Sequence, residues 1–188
     1  MKFFFFVLII FSFANKSFGE DNTTIGELSS YFKNIEEFHS PFLQVRDGEM
    51  SEGEFFFKKN RLRIEYKNPE NILFVMKNKQ VMFFNETLEE VHYFNPRNTP
   101  AQLFYDLFNK DDFFHGFAIK SQSRFTVISK KILIDDIEHD IKIFFGLEPL
   151  QIRKIEVNSG ISRMAFTLLN PNFFPNFEDN LFSLANPL

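Results

Sequence analysis

The sequence has no cysteine, no tryptophan and only seven glycines among its 188 residues. Without cysteine the chain cannot form disulfides, thiolate metal sites or a cysteine nucleophile. With so few glycines there is no glycine-rich phosphate loop. Basic residues are not in excess either, since 21 Lys and Arg face 25 Asp and Glu, a formal net charge of −4. A dedicated nucleic-acid binder is therefore disfavoured, because it needs a basic surface to neutralise phosphates.

The sequence also lacks an apolar run of the roughly 20 residues that a membrane span requires. Its longest run, Phe3 to Phe13, follows a basic Lys2 and precedes Ser17-Phe18-Gly19, whose small residues suit a cleavage site. We interpret residues 1–19 as a secretory signal peptide that is cut before Glu20, with an uncleaved anchor as the alternative. Cleavage removes two of the 21 basic residues and none of the 25 acidic ones, which leaves a net charge of −6.

Phenylalanine is abundant, with 30 copies, of which seven precede Glu20. Compositional drift of the genome explains this excess without invoking function. A protein that needs more apolar surface than its core requires explains it equally well. Composition alone does not separate the two explanations.

Two helices are predicted from apolar spacing and capping residues. The first covers Thr24 to His39, where Thr24 and Glu27 form a capping box, and it ends near Ser40-Pro41 because the residue before a proline disfavours the α conformation. The second begins at Thr99-Pro100-Ala101-Gln102, with a capping Thr, Pro at the first helical position and Gln at the third.

The rest of the chain alternates apolar and polar residues in short runs, as strands with one wet and one dry face do. Arg61 to Lys67 alternates without exception. Turn pairs such as Asp47-Gly48, Lys59-Asn60 and Asn78-Lys79 separate these runs, and connections this short require antiparallel neighbours. The predicted strands are Phe42–Arg46, Gly53–Lys58, Arg61–Lys67, Ile72–Met76, Val81–Phe84, Glu90–Phe94, Phe117–Ile119, Arg124–Lys130, Glu138–Phe145, Leu150–Val157 and Arg163–Leu169.

About ten or eleven antiparallel strands and two helices define a mainly β (α+β) fold in a single domain over residues 20–188. A sheet of that size curls, closes or splits into a sandwich. Because the helices must bury their apolar stripes, we expect a curled sheet whose concave face is covered by both helices. The tail from Phe173 to Leu184 is predicted to be extended coil.

No set of residues argues for catalysis, a metal or a cofactor, so we expect a protein that is not an enzyme. The densest titratable cluster runs from Asp135 to Asp140 between two apolar runs, where a solvated hairpin turn is favoured over a cation or general-base site. Arg61, Arg63 and Lys67 share a strand face and could contact an anion. Glu54 and Glu65 are close enough to pair with them, which favours a solvated face instead.

Five motifs follow one another in a fixed order: Phe42-x-Gln44, Gly53 to Lys59, Arg61 to Tyr66 with Pro69, Phe83-Phe84-Asn85, and Asn98-Thr99-Pro100 opening a helix. Read in this order, they resemble the periplasmic outer-membrane lipoprotein carrier family (LolA-type). The resemblance covers Leu28 to Leu107, while Leu150 to Leu184 agrees in strand pattern and in an Asp-x-x-Phe ending at Asp179 to Phe182.

The resemblance implies an unclosed β-barrel with helices as a lid over an apolar cavity. It implies a periplasmic carrier that takes lipidated proteins by their acyl chains from an inner-membrane lipoprotein-releasing ABC transporter. Delivery would be to an outer-membrane receptor or to the outer membrane directly, by a monomer without cofactor or metal. The alternatives are a module on the same fold that senses envelope stress or lipid, a generic secreted lipid-binding protein and, in a different class, a small secreted hydrolase.

The resemblance also suggests site residues. The family's lid-holding Arg aligns with Lys59, which lacks the guanidinium fork, so we expect a weaker lid latch there. Ordinary core packing is the alternative role for each residue that we expect to line the cavity; these residues are Leu62, Ile64, Tyr66, Phe74, Met76, Met82, Phe84, Leu103, Phe104 and Leu107.

Overall fold

The computed structural model describes residues 24–188 apart from 98, 123 and 135, so the signal-peptide prediction for residues 1–19 lies outside the described residues. Eleven strands are seen in this part of the chain, and all their pairings are antiparallel. The strands are β1 (Glu37–Arg46), β2 (Glu49–Lys58), β3 (Arg61–Asn68), β4 (Ile72–Lys77), β5 (Gln80–Asn85), β6 (Glu90–Phe94), β7 (Ala118–Gln122), β8 (Phe125–Ile134), β9 (Ile137–Leu147), β10 (Leu150–Asn158) and β11 (Arg163–Leu168).

The strands form one sheet in the order β6-β5-β4-β3-β2-β1-β11-β10-β9-β8-β7. Chain neighbours pair along both halves, and the halves join at the centre, where Phe42 of β1 lies opposite Leu168 of β11. Turn residues with positive φ, such as Asp47 and Asn78, permit the tight connections. Because β6 and β7 are edges of the same sheet, the barrel is unclosed, which confirms the predicted fold class.

Helix α1 (Ile25–Lys33) begins as predicted but ends six residues early. The Thr24 side chain accepts a hydrogen bond from the Glu27 amide, and the Glu27 carboxylate accepts one from the Thr24 amide, which completes the capping box. Phe38 and His39, which were assigned to the helix, lie in β1. Apolar residues there also fit a period of two, and pairing of Phe38 with Phe57 of β2 decides in favour of the strand.

Helix α2 (Pro100–Asn109) also begins where it was predicted, but the capping is different. The Thr99 side chain makes no capping bond to the helix and donates instead to the Pro96 carbonyl at 2.6 Å. The Gln102 side chain does not bond to the start of the helix either, because its amide nitrogen donates to the Asp106 carboxylate at 2.6 Å. Within the described residues, no helix combines the length and the apolar character needed to span a membrane.

The main core lies between the concave face of the sheet and both helices, and it is built largely from phenylalanine. The fully buried Phe38 contacts the rings of Phe55, Phe57 and Phe108, with centroids 5.3 to 5.7 Å apart. Phe108 of α2 also meets Phe32 of α1 at 5.3 Å. Burial of each such side chain stabilises the fold by roughly 1.5–3 kcal/mol, so the helices are held to the sheet mainly by aromatic packing.

A second, smaller core lies on the other face of the sheet, where the C-terminal tail packs. Phe182, in a 3₁₀ turn that the coil prediction missed (Asp179–Phe182), is buried against Val75 and Met82. The Arg63 guanidinium donates to the Leu181 carbonyl at 2.9 Å. The basic face of β3 is therefore partly covered by the tail rather than fully solvated. The predicted Lys67–Glu54 pair is present at 3.0 Å.

Candidate functional site

An apolar cavity of about 530 Å³ lies between the concave face of the sheet and α2. Its walls come from β1 to β6 and from β11, and Ala101 and Phe104 of α2 form its cover. This volume falls in the range of about 300–1,000 Å³ that is typical of small-molecule pockets. The sheet supplies the wall because every second residue of each strand points to the concave side.

Five of the residues predicted to line a cavity are brought together around this one. These residues are Leu62, Ile64, Tyr66, Phe74 and Phe104. Leu62 and Ile64 are also members of the main core, so they serve both packing and the cavity wall.

Three other predicted residues lie on the concave side without lining this cavity. Met76 and Leu107 are buried in the main core. Leu103 faces a neighbouring groove of about 360 Å³ between α2 and the β8–β9 hairpin. For these three, the structure assigns packing positions around the cavity rather than positions in its wall.

The structure places Met82 and Phe84 on the opposite face of the sheet. Met82 packs with the tail in the second core, and Phe84 pairs with Leu73 and Val91, which belong to that core. The residue that points into the cavity from β5 is Phe83. The turn at Asn78-Lys79 indicates which residues of β5 face the cavity, because a two-residue hairpin there pairs Phe83 with Phe74.

Sequence reasoning also missed a polar end of the cavity. Gln44, Arg46 and Glu49, at the turn between β1 and β2, line it together with Met164 of β11. The Tyr66 hydroxyl donates to the Gln44 side-chain oxygen at 3.0 Å. Burial raises the pKa of Tyr66 although the nearby Arg46 opposes the rise, so the phenol stays neutral. The cavity thus grades from apolar walls to a polar opening.

Helix α2 is tied to the sheet by Asn60 rather than by Lys59. The Asn60 backbone amide donates to the Asn109 side-chain oxygen at 2.7 Å, and the Tyr105 hydroxyl donates to the Asn60 side-chain oxygen at 3.3 Å. Lys59 instead pairs with Glu36, in the segment between α1 and β1, at 3.1 Å. Both partners of that pair are solvent-accessible, and such exposed pairs contribute little stability.

Helix α1 is anchored by Tyr31, whose hydroxyl accepts a hydrogen bond from the Ile152 amide of β10 at 3.2 Å. Burial raises the pKa of Tyr31 to about 12, although the bond from Ile152 lowers it. The tyrosine is thus neutral at any physiological pH. An ion pair between Lys33 and Asp111 at 3.4 Å joins α1 to the segment after α2, so the two helices are linked at their C-terminal ends.

The acidic segment from Asp136 to Asp140 lies at the predicted β8–β9 hairpin. Its side chains pair with lysines on the same strands, Glu138 with Lys131 at 2.7 Å and Asp140 with Lys142 at 3.6 Å. In the described part of the chain, no group of three or more acidic or histidine side chains converges to hold a metal ion. Only Asp136 of this segment lies in the turn, and Ile137 to Asp140 form the solvent-facing start of β9.

An open antiparallel half-barrel, two helices across its concave face and an apolar cavity beneath α2 define a class of modules built to bind an apolar ligand. Within that class the chain belongs to the family described as outer membrane lipoprotein carrier protein LolA, which its sequence matches over residues 33–185. This confirms the resemblance drawn from the motifs. A comparison with curated proteins finds no match for this chain.

Several solved structures are similar to this chain at low sequence identity. An uncharacterized conserved protein from Thermus thermophilus is 6% identical, with a TM-score of 0.58 over 84% of this chain and 90% of that one. The MucA/MucB complex of Pseudomonas aeruginosa gives 12% identity and a TM-score of 0.49 over 86% of this chain and 59% of that one. LprF from Mycobacterium bovis is 9% identical, with a TM-score of 0.41 over 82% of this chain and 94% of that one. At these identities the likeness concerns the fold alone.

Proposed function

We propose that the protein is a periplasmic carrier that holds the acyl chains of lipidated proteins in the cavity under α2. It takes them from an inner-membrane lipoprotein-releasing transporter and delivers them to the outer membrane, directly or through a receptor. The observation that carries the proposal is the apolar cavity of about 530 Å³, together with membership of the lipoprotein carrier family. The role is one of binding and transfer and involves no reaction.

Elementary energetics explains why such a carrier is needed. Each CH₂ group kept out of water is worth about 0.8 kcal/mol, so a long acyl chain carries on the order of 10 kcal/mol. A chain of that kind does not cross an aqueous space unshielded. The aromatic and aliphatic wall formed by Phe74, Phe83, Phe104 and Ile64 offers the apolar surface that replaces the membrane.

Loading and release require the cover to move. The polar bonds between α2 and the sheet turn are few, since Asn60 meets Asn109 and Tyr105 there. Each such bond contributes about 0.5–1.5 kcal/mol, so these polar contacts are a small part of the cost of lifting α2. Packing of Phe108 of α2 against Phe57 of β2 favours the closed position of the helix when the cavity is empty.

The proposal is tested by a transfer assay with the mature protein. Spheroplasts of the source cell are incubated with it, and lipoprotein in the supernatant is identified by mass spectrometry before and after outer-membrane vesicles are added. We expect release that depends on the carrier, followed by movement of the cargo into the vesicles. Binding of phospholipid or fatty acid without lipoprotein release would favour a generic lipid-binding protein. An absence of any acyl ligand would contradict the proposal.

Release rates should identify the lid latch. We expect Asn109→Ala to speed release of a bound dansyl-labelled fatty acid by up to about tenfold, because loss of one bond of about 0.5–1.5 kcal/mol shifts an equilibrium by at most that order. Lys59→Ala is the matched variant, since it removes an exposed pair to Glu36, and we expect an unchanged rate. Stopped-flow fluorescence measures both. A larger effect of Lys59→Ala would restore Lys59 as the latch.

A further inference from the structure

The turns at one end of the sheet carry exposed aliphatic side chains. Across the described residues, Ile161 is 86% exposed, Leu133 73%, Met50 63%, Leu88 62% and Ile137 44%. They lie on or beside four separate turns: β1–β2, β5–β6, β8–β9 and β10–β11. Large aliphatic side chains with this exposure forfeit most of the stabilisation that burial would give, so their place in the fold calls for an explanation.

Strand register puts these turns at the same end. Arg46 lies opposite Met164, which brings the β1–β2 turn beside the β10–β11 turn. Asn158 lies opposite Asp140, which brings in the β8–β9 turn. Ile72 lies opposite Asn85, so the β5–β6 turn lies beside the β3–β4 turn at this end as well.

The cavity opens at this same end. Six of the residues that line it are exposed; Arg46, Glu49, Asn68, Pro69 and Glu70 lie at the β1–β2 or β3–β4 turn, and Phe94 alone lies at the far end of β6. An acyl chain that enters or leaves there passes between the turns that present Met50, Leu88 and Ile161. The aliphatic side chains therefore lie at the end of the sheet where the cavity opens.

A lipid surface fits this arrangement better than a protein partner. The aliphatic side chains lie on separate turns with polar residues between them, so a protein would need several separate sockets. The interface of a bilayer accepts individual apolar side chains wherever they project. Charge selects the lipid, because residues 46–49, 68–72, 85–90, 133–138 and 158–163 hold nine acidic residues and two arginines. An anionic surface would repel this end, and a zwitterionic one would not.

We propose that the protein docks with its cavity opening against a zwitterionic lipid surface, into which Met50, Leu88, Leu133, Ile137 and Ile161 insert. Contact of this kind brings the opening to the depth at which acyl chains lie, so transfer avoids exposure to water. Membrane docking adds to the proposed carrier function but concerns the empty protein. Docking can therefore fail while acyl binding holds, and acyl binding can fail while docking holds.

The test is flotation of the mature protein with lipid vesicles. We expect binding to phosphatidylcholine–phosphatidylethanolamine vesicles and weaker binding when phosphatidylglycerol is added. Ile161→Ser should weaken partitioning roughly tenfold, and the triple change Met50→Ser, Leu88→Ser and Ile161→Ser on the order of a hundredfold. None of the three lines the cavity, so binding of a dansyl-labelled fatty acid should be unchanged and reports that the variants are folded.

Phe174→Ser is the matched control, because Phe174 is 94% exposed but follows Asn172, which bridges to His39 near the opposite end of the sheet. We expect this variant to float like the wild type. Equal losses from Phe174→Ser and the triple change would overturn the proposal. So would binding only to vesicles that retain membrane proteins, because that result assigns the surface to a protein partner.

Discussion

Replacing Phe83 with glutamate should reduce the affinity for an acyl ligand at least tenfold while the protein stays folded. Phe83 points into the cavity from β5 opposite Phe74, and it is only partly buried, so the substitution does not remove a core residue. A carboxylate in that wall must give up hydration when an alkyl chain packs on it, which costs at least about 1–3 kcal/mol. Titration with a dansyl-labelled fatty acid gives the dissociation constant.

The matched control is Phe84→Glu, one residue along the same strand. Phe84 is partly buried as well, but it lies on the other face of the sheet beside Leu73 and Val91. The two variants thus share the change in charge, volume and strand propensity, and they differ in the face that receives the carboxylate. We expect Phe84→Glu to bind like the wild type. Equal losses in both variants would remove this cavity as the acyl site.

Gly53→Ala should destabilise the fold by about 3 kcal/mol or more. A Cβ atom at Gly53 would lie 1.8 Å from the Glu65 carbonyl oxygen and 2.9 Å from the Phe42 ring. The first neighbour is backbone, so β2 and β3 must separate at the bulge between Glu52 and Gly53 to admit a methyl group. Urea denaturation followed by circular dichroism measures the change in the free energy of unfolding.

Gly146→Ala provides the comparison for Gly53→Ala. Gly146 also lies in a strand, and its added Cβ would be 3.1 Å from the Arg153 side chain, whose flexible end can turn away. The two substitutions add the same methyl group to a strand and differ in whether backbone or side chain must yield. We expect Gly146→Ala to change the free energy of unfolding by less than about 1 kcal/mol. Similar denaturation midpoints for the two variants would show that β2 and β3 are not tightly registered at Gly53.

Most of the sheet could be predicted from the sequence because its signals are local. Strict alternation from Arg61 to Lys67 and turn pairs such as Asp47-Gly48 fix strands and hairpins without reference to the rest of the chain. The end of α1 could not be predicted in this way. Phe38 satisfies both helical and strand spacing, and only its partner Phe57 on β2 decides between them.

The residues that line the cavity were harder to predict, because only residues on the concave face of the sheet can line it and the sequence must indicate that face for every strand. Leu62, Ile64, Tyr66 and Phe74 share the concave face, since the alternation of β3 propagates to β4 through the pairing of Ile64 with Phe74. In β5 all of Val81, Met82, Phe83 and Phe84 are apolar, so no polar residue marks the outer face. The tail explains this pattern, because it covers that face and Met82 packs beneath it. Asn109 had no signal at all, since its bond to Asn60 spans 49 residues.

The pairing of β1 with β11 at the middle of the sheet has a consequence for folding. Phe42 and Leu168 lie 126 residues apart in the sequence, so the central ladder cannot form until the last strand has been synthesised. Either half before then would present an unpaired strand edge, and such edges recruit other chains. Non-local pairing of this kind is slow, typically on the order of milliseconds to seconds. Completion of the sheet therefore waits for β11, whereas the hairpins on either side of the centre pair chain neighbours and do not depend on it.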